Sequence, residues 1–372
     1  MDRSNDRISE YLVPHLKEYI FDELSDSYLE KAGIMDIMKD VPVPINLKDM
    51  EGLTVLKIAK NMSFVMGCDP TFDYVDNYIK YILRNFDERF SDALIGEGLD
   101  VAEKHDYDYA CILFRAAILI NPNNANAYYC YGRACKDAYE LGEDEEYVGR
   151  FKAEALEAFE VCTIKNPTFP DAFYFLGYAY LNMGLYIKTK LTFEEYIKLV
   201  EEALKDESLN STVRIDAENT LKEIKDRVIS LEEPCKIEEG YNLILSSRYE
   251  EGIKVLEKYK DGEYQAWWPL WYYLGVAYMS IGEDHEKEVG KIEEVSETAY
   301  EEAVKNFLEV LKLSPSNSEV MTKLVVLYDK LGDSEKKAKY ENKLLVVQKN
   351  VLLDKELKKE NGLKNMKETK IN

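Results

Sequence analysis

The chain has 372 residues, of which 46% are hydrophobic and 32% are charged, and its formal net charge is −23 at pH 7. Such acidity excludes strongly anionic partners, so we expect no binding to nucleic acid or to a membrane surface. No run of about 20 apolar residues is present, which excludes a membrane-spanning helix. Six cysteines without a C-x-x-C pair, and an N-terminus without a signal-peptide pattern, indicate a reducing, cytoplasmic environment.

Residues 1–50 form the first predicted region, a helical N-terminal segment. Its apolar residues recur at helical spacing at Ile8, Leu12, Leu16 and Ile20. Pro14 starts or kinks this helix, and a second helix is expected near residues 26–39. Residues 41–45 read Val-Pro-Val-Pro-Ile and should be extended, because each proline excludes its predecessor from the helical region.

A helical pair is predicted next, with one helix over residues 53–66, a turn at 67–70 and a second helix over 71–86. We expect this pair to stack as a degenerate repeat on the clearer repeats that follow. The first repeat block as a whole is predicted to span residues 51–204.

The clear repeats begin at Gly98, which precedes Pro122 by 24 residues with Phe114 between them. A second copy runs from Gly132 to Pro167, and its spacing of 35 residues implies an 11-residue insertion. In each copy the glycine lets a second helix cross closely, and this contact must offset about 1 kcal/mol of lost helix propensity. The aromatic residue fills the space beside the glycine, and the proline ends the pair.

Two further copies carry the same elements less regularly. The copy at Gly177 has Phe193 in register, but Thr189 stands where the other copies have a smaller residue. The other copy reads W-x2-L-G-x2-Y at residues 271–278 and reaches Pro315 after a 16-residue insertion.

These motifs resemble those of tetratricopeptide repeat (TPR) proteins. The resemblance covers residues 91–345 and implies an all-α fold, an α-solenoid in which antiparallel helix pairs stack into a superhelix. It also implies a scaffold or adaptor that binds a peptide or protein segment on its concave face. A peptide-sensing regulator of another protein's activity is the alternative.

Three regions complete the predicted organisation. Residues 205–234 should form a long helix that connects the blocks, caps the first one or begins another repeat. Residues 235–350 should form a second repeat block, and residues 351–372 a lysine-rich, disordered tail whose start continues the last helix. The insertions contain the acidic stretches 142–146 and 282–286, which either lengthen the paired helices or form an acidic edge for a partner.

The concave face of TPR proteins is built from fixed positions of the first helices. The resemblance transfers these positions to a tyrosine-rich set of residues, which we predict to bind the partner. The set is Ile95, Leu99, Asn126, Tyr129, Arg133, Lys136, Asp171, Tyr174, Tyr178, Leu181, Tyr272, Val276 and Met279.

No arrangement of residues suggests catalysis. The three histidines, His15, His105 and His285, are far apart in sequence, and no zinc-binding or phosphate-binding motif occurs. We therefore expect no enzymatic activity, no cofactor and no metal site, and we expect the partner to be a protein or peptide.

Overall fold

The computed structural model describes residues 6–49 and 52–368 of the chain. It divides into two compact units, Met1–Val228 and Ile229–Asn372. Paired helices make up both units, which confirms the predicted all-α class. The helices of the first unit are α1 (Ser9–Leu12), α2 (Asp26–Ala32), α3 (Met35–Met38), α4 (Val55–Cys68), α5 (Val75–Phe86), α6 (Phe90–Ala102), α7 (Tyr107–Ile120), α8 (Ala125–Leu141), α9 (Glu145–Lys165), α10 (Pro170–Asn182), α11 (Tyr186–Ala203) and α12 (Ser211–Ser230).

Two strands lie in the N-terminal segment, where the sequence analysis expected only helices and an extended stretch. They are β1 (Tyr19–Glu23) and β2 (Pro42–Asn46), and they pair antiparallel. Ile20 therefore lies on a strand and not on the predicted helical face. The carbonyl of Pro42 accepts a hydrogen bond from the Tyr78 hydroxyl (2.6 Å), and that of Pro44 accepts one from Asn61 Nδ2 (3.1 Å). These bonds fix the proline-containing strand on α4 and α5.

The helices of the N-terminal segment are also shorter than expected. The predicted amphipathic helix extends only to Leu12, and a 3₁₀ segment with Pro14 in its first turn follows it. The single helix expected over residues 26–39 is divided into α2 and α3, because Gly33 takes a left-handed φ of 65° that ends α2.

α4 and α5 occupy the region predicted as a helical pair, but the turn between them lies later than expected. A Cβ atom on Gly67 would lie 2.1 Å from the carbonyl oxygen of Ile112, so α4 crosses α7 in backbone contact at this glycine. α4 continues through this crossing to Cys68. Gly67 is thus a packing residue inside a helix, and the predicted turn at 67–70 is wrong in its first half.

Three pairs of the first unit share one crossing geometry: α6 with α7, α8 with α9, and α10 with α11. A phenyl ring of the second helix occupies the space where the glycine of the first helix has no side chain, and each ring is at most 2% exposed. A Cβ atom would meet the ring at 2.4 Å for Gly98 and Phe114, at 2.8 Å for Gly132 and Phe159, and at 2.3 Å for Gly177 and Phe193.

The second unit is built from the pairs α13 with α14, α15 with α16, and α17 with α18. Their bounds are α13 (Glu232–Leu245), α14 (Tyr249–Leu256), α15 (Trp268–Val289), α16 (Glu294–Leu313), α17 (Ser318–Lys330) and α18 (Ser334–Glu368). Gly275 faces Phe307 as in the first unit, with a Cβ-to-ring distance of 2.6 Å. Gly282 faces Tyr300 in the same way at 2.5 Å, so the 16-residue insertion lengthens both helices of this pair.

The last helix is longer than the sequence analysis expected. α18 continues to Glu368, whereas only the start of residues 351–372 was expected to continue the helix. Lysine, glutamate and leucine dominate this stretch, and all three are good helix formers. Residues 369–372 lie outside the described residues. None of the described helices is both long and apolar enough to cross a membrane.

Candidate functional site

A groove on the first unit brings several predicted residues together. It lies between α8, α10, α11 and α12 and has a volume of about 490 Å³. Its lining consists of Tyr129, Arg133, Pro170, Asp171, Tyr174, Phe175, Tyr196, Val200, Ala203, Leu204, Leu209, Val213, Asp216, Ala217 and Thr220. We call it the first-unit groove. Four of the residues predicted for the concave face line it, namely Tyr129, Arg133, Asp171 and Tyr174.

Arg133 is held by two contacts within the groove wall. Its Nη1 donates a hydrogen bond to the Tyr129 hydroxyl (3.2 Å), which lies one helical turn away on the same face of α8. Its guanidinium carbon lies 4.3 Å from the centroid of the Phe175 ring, a cation–π contact. These contacts fix the position of the positive charge before any ligand arrives.

Asp171 supplies a negative charge at the first turn of α10. The residue is exposed, yet neighbouring atoms crowd its carboxyl, and this burial raises its pKa. The charge of Arg133 acts in the opposite direction without cancelling the effect. No hydrogen bond or ion pair to this carboxylate occurs among the described residues. Asp171 is therefore partly desolvated, and the charge of Arg133 compensates this only in part.

Tyrosine rings form the wall of the groove on α10 and α11. The Tyr174 centroid lies 5.0 Å from that of Tyr178 and 5.7 Å from that of Tyr196. The Tyr178 hydroxyl donates a hydrogen bond to Glu223 Oε1 on α12 (2.6 Å). Burial and this bond raise the pKa of Tyr178. Tyr178 thus supports the wall and joins it to α12, while Tyr174 faces the groove.

The groove helices α8 and α10 are each the first helix of a pair that is locked by a glycine–phenylalanine contact. The same register occurs between α6 and α7 and between α15 and α16, which makes four copies of the crossing that the TPR motif requires. The helix pairs of this chain therefore pack as the motif of TPR proteins requires. No family model matches the sequence, and no curated protein matches it.

Several solved structures are similar to this chain. MamA from Desulfovibrio magneticus RS-1, solved from residue 41 to its end, is 16% identical, with 61% of this chain and 96% of the solved chain covered at a TM-score of 0.30. YrrB, a TPR protein with an unusual peptide-binding site, is 15% identical, with 66% and 97% covered at a TM-score of 0.26. Human IFIT1, solved as a dimer with PPP-AAAA, is 14% identical, with 78% and 55% covered at a TM-score of 0.30. These scores assign no role to any residue of this chain.

α12 forms a wall of the groove that the TPR register did not reveal. Val213 is 54% exposed and lines the groove together with Ala217, while Leu221 and Ile224 on the same helix are buried. The sequence analysis treated this helix as a connector or cap and assigned none of its residues to the site. The available signal was the apolar stripe that contains Val213 and Ala217, four residues apart.

The other predicted residues of the first unit do not line the groove. Lys136 forms an ion pair with Glu140 (2.7 Å) and borders a separate recess of about 120 Å³ together with Tyr178. Ile95 is only 8% exposed and belongs to the core. Leu99 and Asn126 are exposed elsewhere on the surface, and Leu181 is half-buried.

The predicted residues of the second unit make contacts within that unit. The Tyr272 hydroxyl donates a hydrogen bond to Glu319, and Lys323 Nζ lies 5.8 Å from the centroid of the Tyr272 ring. Both partners lie on α17. Val276 and Met279 pack against the core of the second unit. These residues hold α15 against α17, and a role in binding remains a prediction.

The thiols of the chain are poor nucleophiles. All six cysteines are buried and none forms a disulfide, and burial raises the pKa of Cys130 to about 11 and that of Cys162 to about 12. Cys111 Sγ and Cys135 Sγ lie 3.6 Å apart in hydrogen-bond contact and form no disulfide. No cluster of three or more histidine, cysteine or acidic residues in the described ranges could hold a metal ion.

Proposed function

We propose that this TPR chain is a protein-interaction scaffold that binds a peptide or protein segment in the first-unit groove. The observation that supports this function is a preformed concavity of about 490 Å³ that combines apolar and aromatic walls with a fixed cation and a carboxylate without a partner. Ligand sites typically have volumes of about 300–1,000 Å³, mostly apolar linings and a few well-placed polar groups.

The aromatic wall and Val213 would supply most of the binding energy. Tyrosines such as Tyr174 offer a large contact area at a low cost in conformational entropy. Val213 is an aliphatic side chain that is 54% exposed beside them. Covering the exposed part of one such side chain stabilises a complex by about 1 kcal/mol.

A protein ligand also fits the charge of the chain better than an RNA ligand does. The structure of human IFIT1 contains PPP-AAAA. At a net charge of −23, this chain would repel a polyphosphate, and it lacks the excess of basic residues that binding to a nucleic-acid backbone requires. Basic segments of proteins would instead be attracted.

A pair of substitutions on α12 tests this function. Val213 and Ile215 are 54% and 56% exposed, but only Val213 lines the groove. Affinity capture from native lysate would compare the wild type with Val213→Glu and Ile215→Glu, after circular dichroism has shown that all three are folded. We expect Val213→Glu to lose at least one protein that the wild type and Ile215→Glu both retain. Identical capture by both variants would show that the groove is not the binding site.

A further inference from the structure

The ionisable side chains of the first-unit groove leave an unbalanced negative charge. Arg133 is the cation of the lining, and Asp171 and Asp216 are its carboxylates. Arg133 donates one hydrogen bond to Tyr129 and stacks on Phe175, although its buried Nε has no hydrogen-bond partner among the described residues. Its charge acts on Asp171, so one cation faces two carboxylates and the lining keeps an excess of one negative charge.

Both carboxylates are short of donors. Asp171 has no hydrogen bond or ion pair from its side chain to any described residue, and crowding by neighbouring atoms already disfavours its charged form. Asp216 accepts a hydrogen bond from the Thr220 hydroxyl, but it does so through its backbone carbonyl. A cation from a ligand would satisfy either carboxylate, and a desolvated carboxylate gains most from such a partner.

The aliphatic part of the groove adjoins these carboxylates. Val200 of α11, Leu204 and Leu209 of the linker, and Val213 of α12 line it. Asp216 is one turn from Val213 on α12, so the apolar surface and a carboxylate share one face of that helix. A ligand that enters here meets aliphatic surface and negative charge together.

We infer that the segment bound in the first-unit groove carries a lysine or arginine next to a branched or aromatic apolar side chain. The cation pairs with Asp171 and Asp216, and the apolar side chain packs on Leu204, Leu209 and Val213. This inference rests on the proposed function and specifies its ligand class. The charge of the whole chain acts in the same direction, because a field of −23 steers basic segments towards the protein.

Selection from a display library of random peptides tests the inference on the full chain. The baits are the wild type, the double variant Asp171→Asn/Asp216→Asn, the control Asp226→Asn, which removes one carboxylate outside the groove, and Val213→Asn, which removes apolar surface without adding a charge. Asp226 is exposed on α12 and does not line the groove. One selected peptide is then synthesised with its basic residue intact or changed to glutamine, and its affinity is measured by fluorescence anisotropy.

We expect wild-type peptides to be enriched in lysine or arginine beside an apolar residue. The double variant should bind the basic peptide about tenfold more weakly and the glutamine peptide almost equally, and Asp226→Asn should match the wild type. Peptides that need Val213 but show no basic preference would overturn the charge assignment and leave the groove as a binding site. The charge assignment would also be overturned if Asp226→Asn weakened binding of the basic peptide as much as the double variant does. Such a result would show that only the overall negative charge of the chain attracts the peptide. If no peptide binds Val213→Asn more weakly than the wild type, both the inference and the proposed function are refuted.

Discussion

Replacing Gly98 by alanine should destabilise the first unit, whereas the same change at Gly96 should stabilise it. Both residues lie in α6, two positions apart. A Cβ atom on Gly98 would lie 2.4 Å from Cε1 of Phe114, but nothing lies within 4 Å of a Cβ atom on Gly96. Phe114 is only 1% exposed, so its ring cannot move aside without displacing the residues packed around it.

The expected magnitudes follow from this geometry. Carbon atoms in optimal contact are about 3.5 Å apart, so the ring or the helix must shift by about 1 Å in the Gly98→Ala variant. Overpacking of this kind costs about 1–3 kcal/mol, and alanine recovers about 1 kcal/mol of helix propensity. We expect a net loss of up to about 2 kcal/mol for Gly98→Ala and a gain of about 0.5–1 kcal/mol for Gly96→Ala.

Urea denaturation followed by circular dichroism measures both effects on the full chain. The two units need not unfold together, so the comparison uses the transition that both substitutions shift. The Gly96→Ala variant controls for helix propensity, because it adds the same methyl group to the same helix. If Gly98→Ala proves as stable as Gly96→Ala, then the helix crossing does not require glycine, and our explanation of the repeated motif is wrong.

Three other predictions concern the core. Asp6→Asn should lower the free energy of unfolding by about 3–5 kcal/mol, because Asp6 pairs at 2.8 Å with the fully buried Arg115. Burial alone would raise the pKa of Asp6, but Arg115 and hydrogen bonds within the segment hold it below the ordinary value. In the wild type this contribution to stability should be complete at pH values above the pKa of an unfolded aspartate. It should be lost as the pH falls through the lower pKa that Asp6 has in the folded protein. Thermal unfolding measured across this pH range should show the loss in the wild type and not in Asp6→Asn. Phe193→Ala should lower the free energy of unfolding by about 3–5 kcal/mol in urea denaturation, because the Phe193 side chain is fully buried. The control is Ile164→Ala, at a side chain that is 76% exposed. If Phe193→Ala lowers the stability no more than this control does, the packing described here is wrong. All six cysteines should resist iodoacetamide until the chain unfolds, and mass spectrometry that found a native thiol modified would contradict their burial.

The repeat crossings could be predicted because both partners belong to one helical hairpin. Gly98 and Phe114 are 16 residues apart, and so are Gly177 and Phe193. Each pair is fixed by a local pattern of small and aromatic residues, and the pattern recurs often enough to be recognised. In the insertion, Gly282 packs against the Tyr300 ring in the same way. This contact could be recognised only in the structure, because the sequence analysis had not paired these two residues.

The strands of the N-terminal segment could not be predicted in the same way. β1 is five residues long and has no buried–exposed alternation, because all but its first residue are exposed. β2 carries two prolines, and its carbonyls are satisfied by Tyr78 and Asn61, which lie in later helices. The helical spacing that extended to Ile20 was coincidental, and only contacts distant in sequence fix the strand pair.

The sequence analysis could propose site residues only on helices that belong to a recognised repeat. Tyr129, Arg133 and Tyr174 were found from that register, and the structure places them around one groove. α12 belongs to no recognised repeat, so no register could place it over the groove. The hydrogen bond that joins it to the tyrosine wall spans 45 residues, from Tyr178 to Glu223, and has no signal in the sequence.

Arg115 explains why the N-terminal segment folds with the repeats although it carries no repeat motif. This side chain follows Phe114 in α7 and is fully buried, and its Nη2 donates to Asp6 Oδ2 (2.8 Å) and to Ser9 Oγ (3.1 Å). A buried cation without a partner costs several kcal/mol, so α7 is stable in this environment only when the segment is in place. Ile8 and Leu12 of the same segment are fully buried in the core that α7 shares. The segment therefore acts as the cover that the end of a stack of helix pairs needs, and it does so with a charge pair that the repeats themselves do not contain.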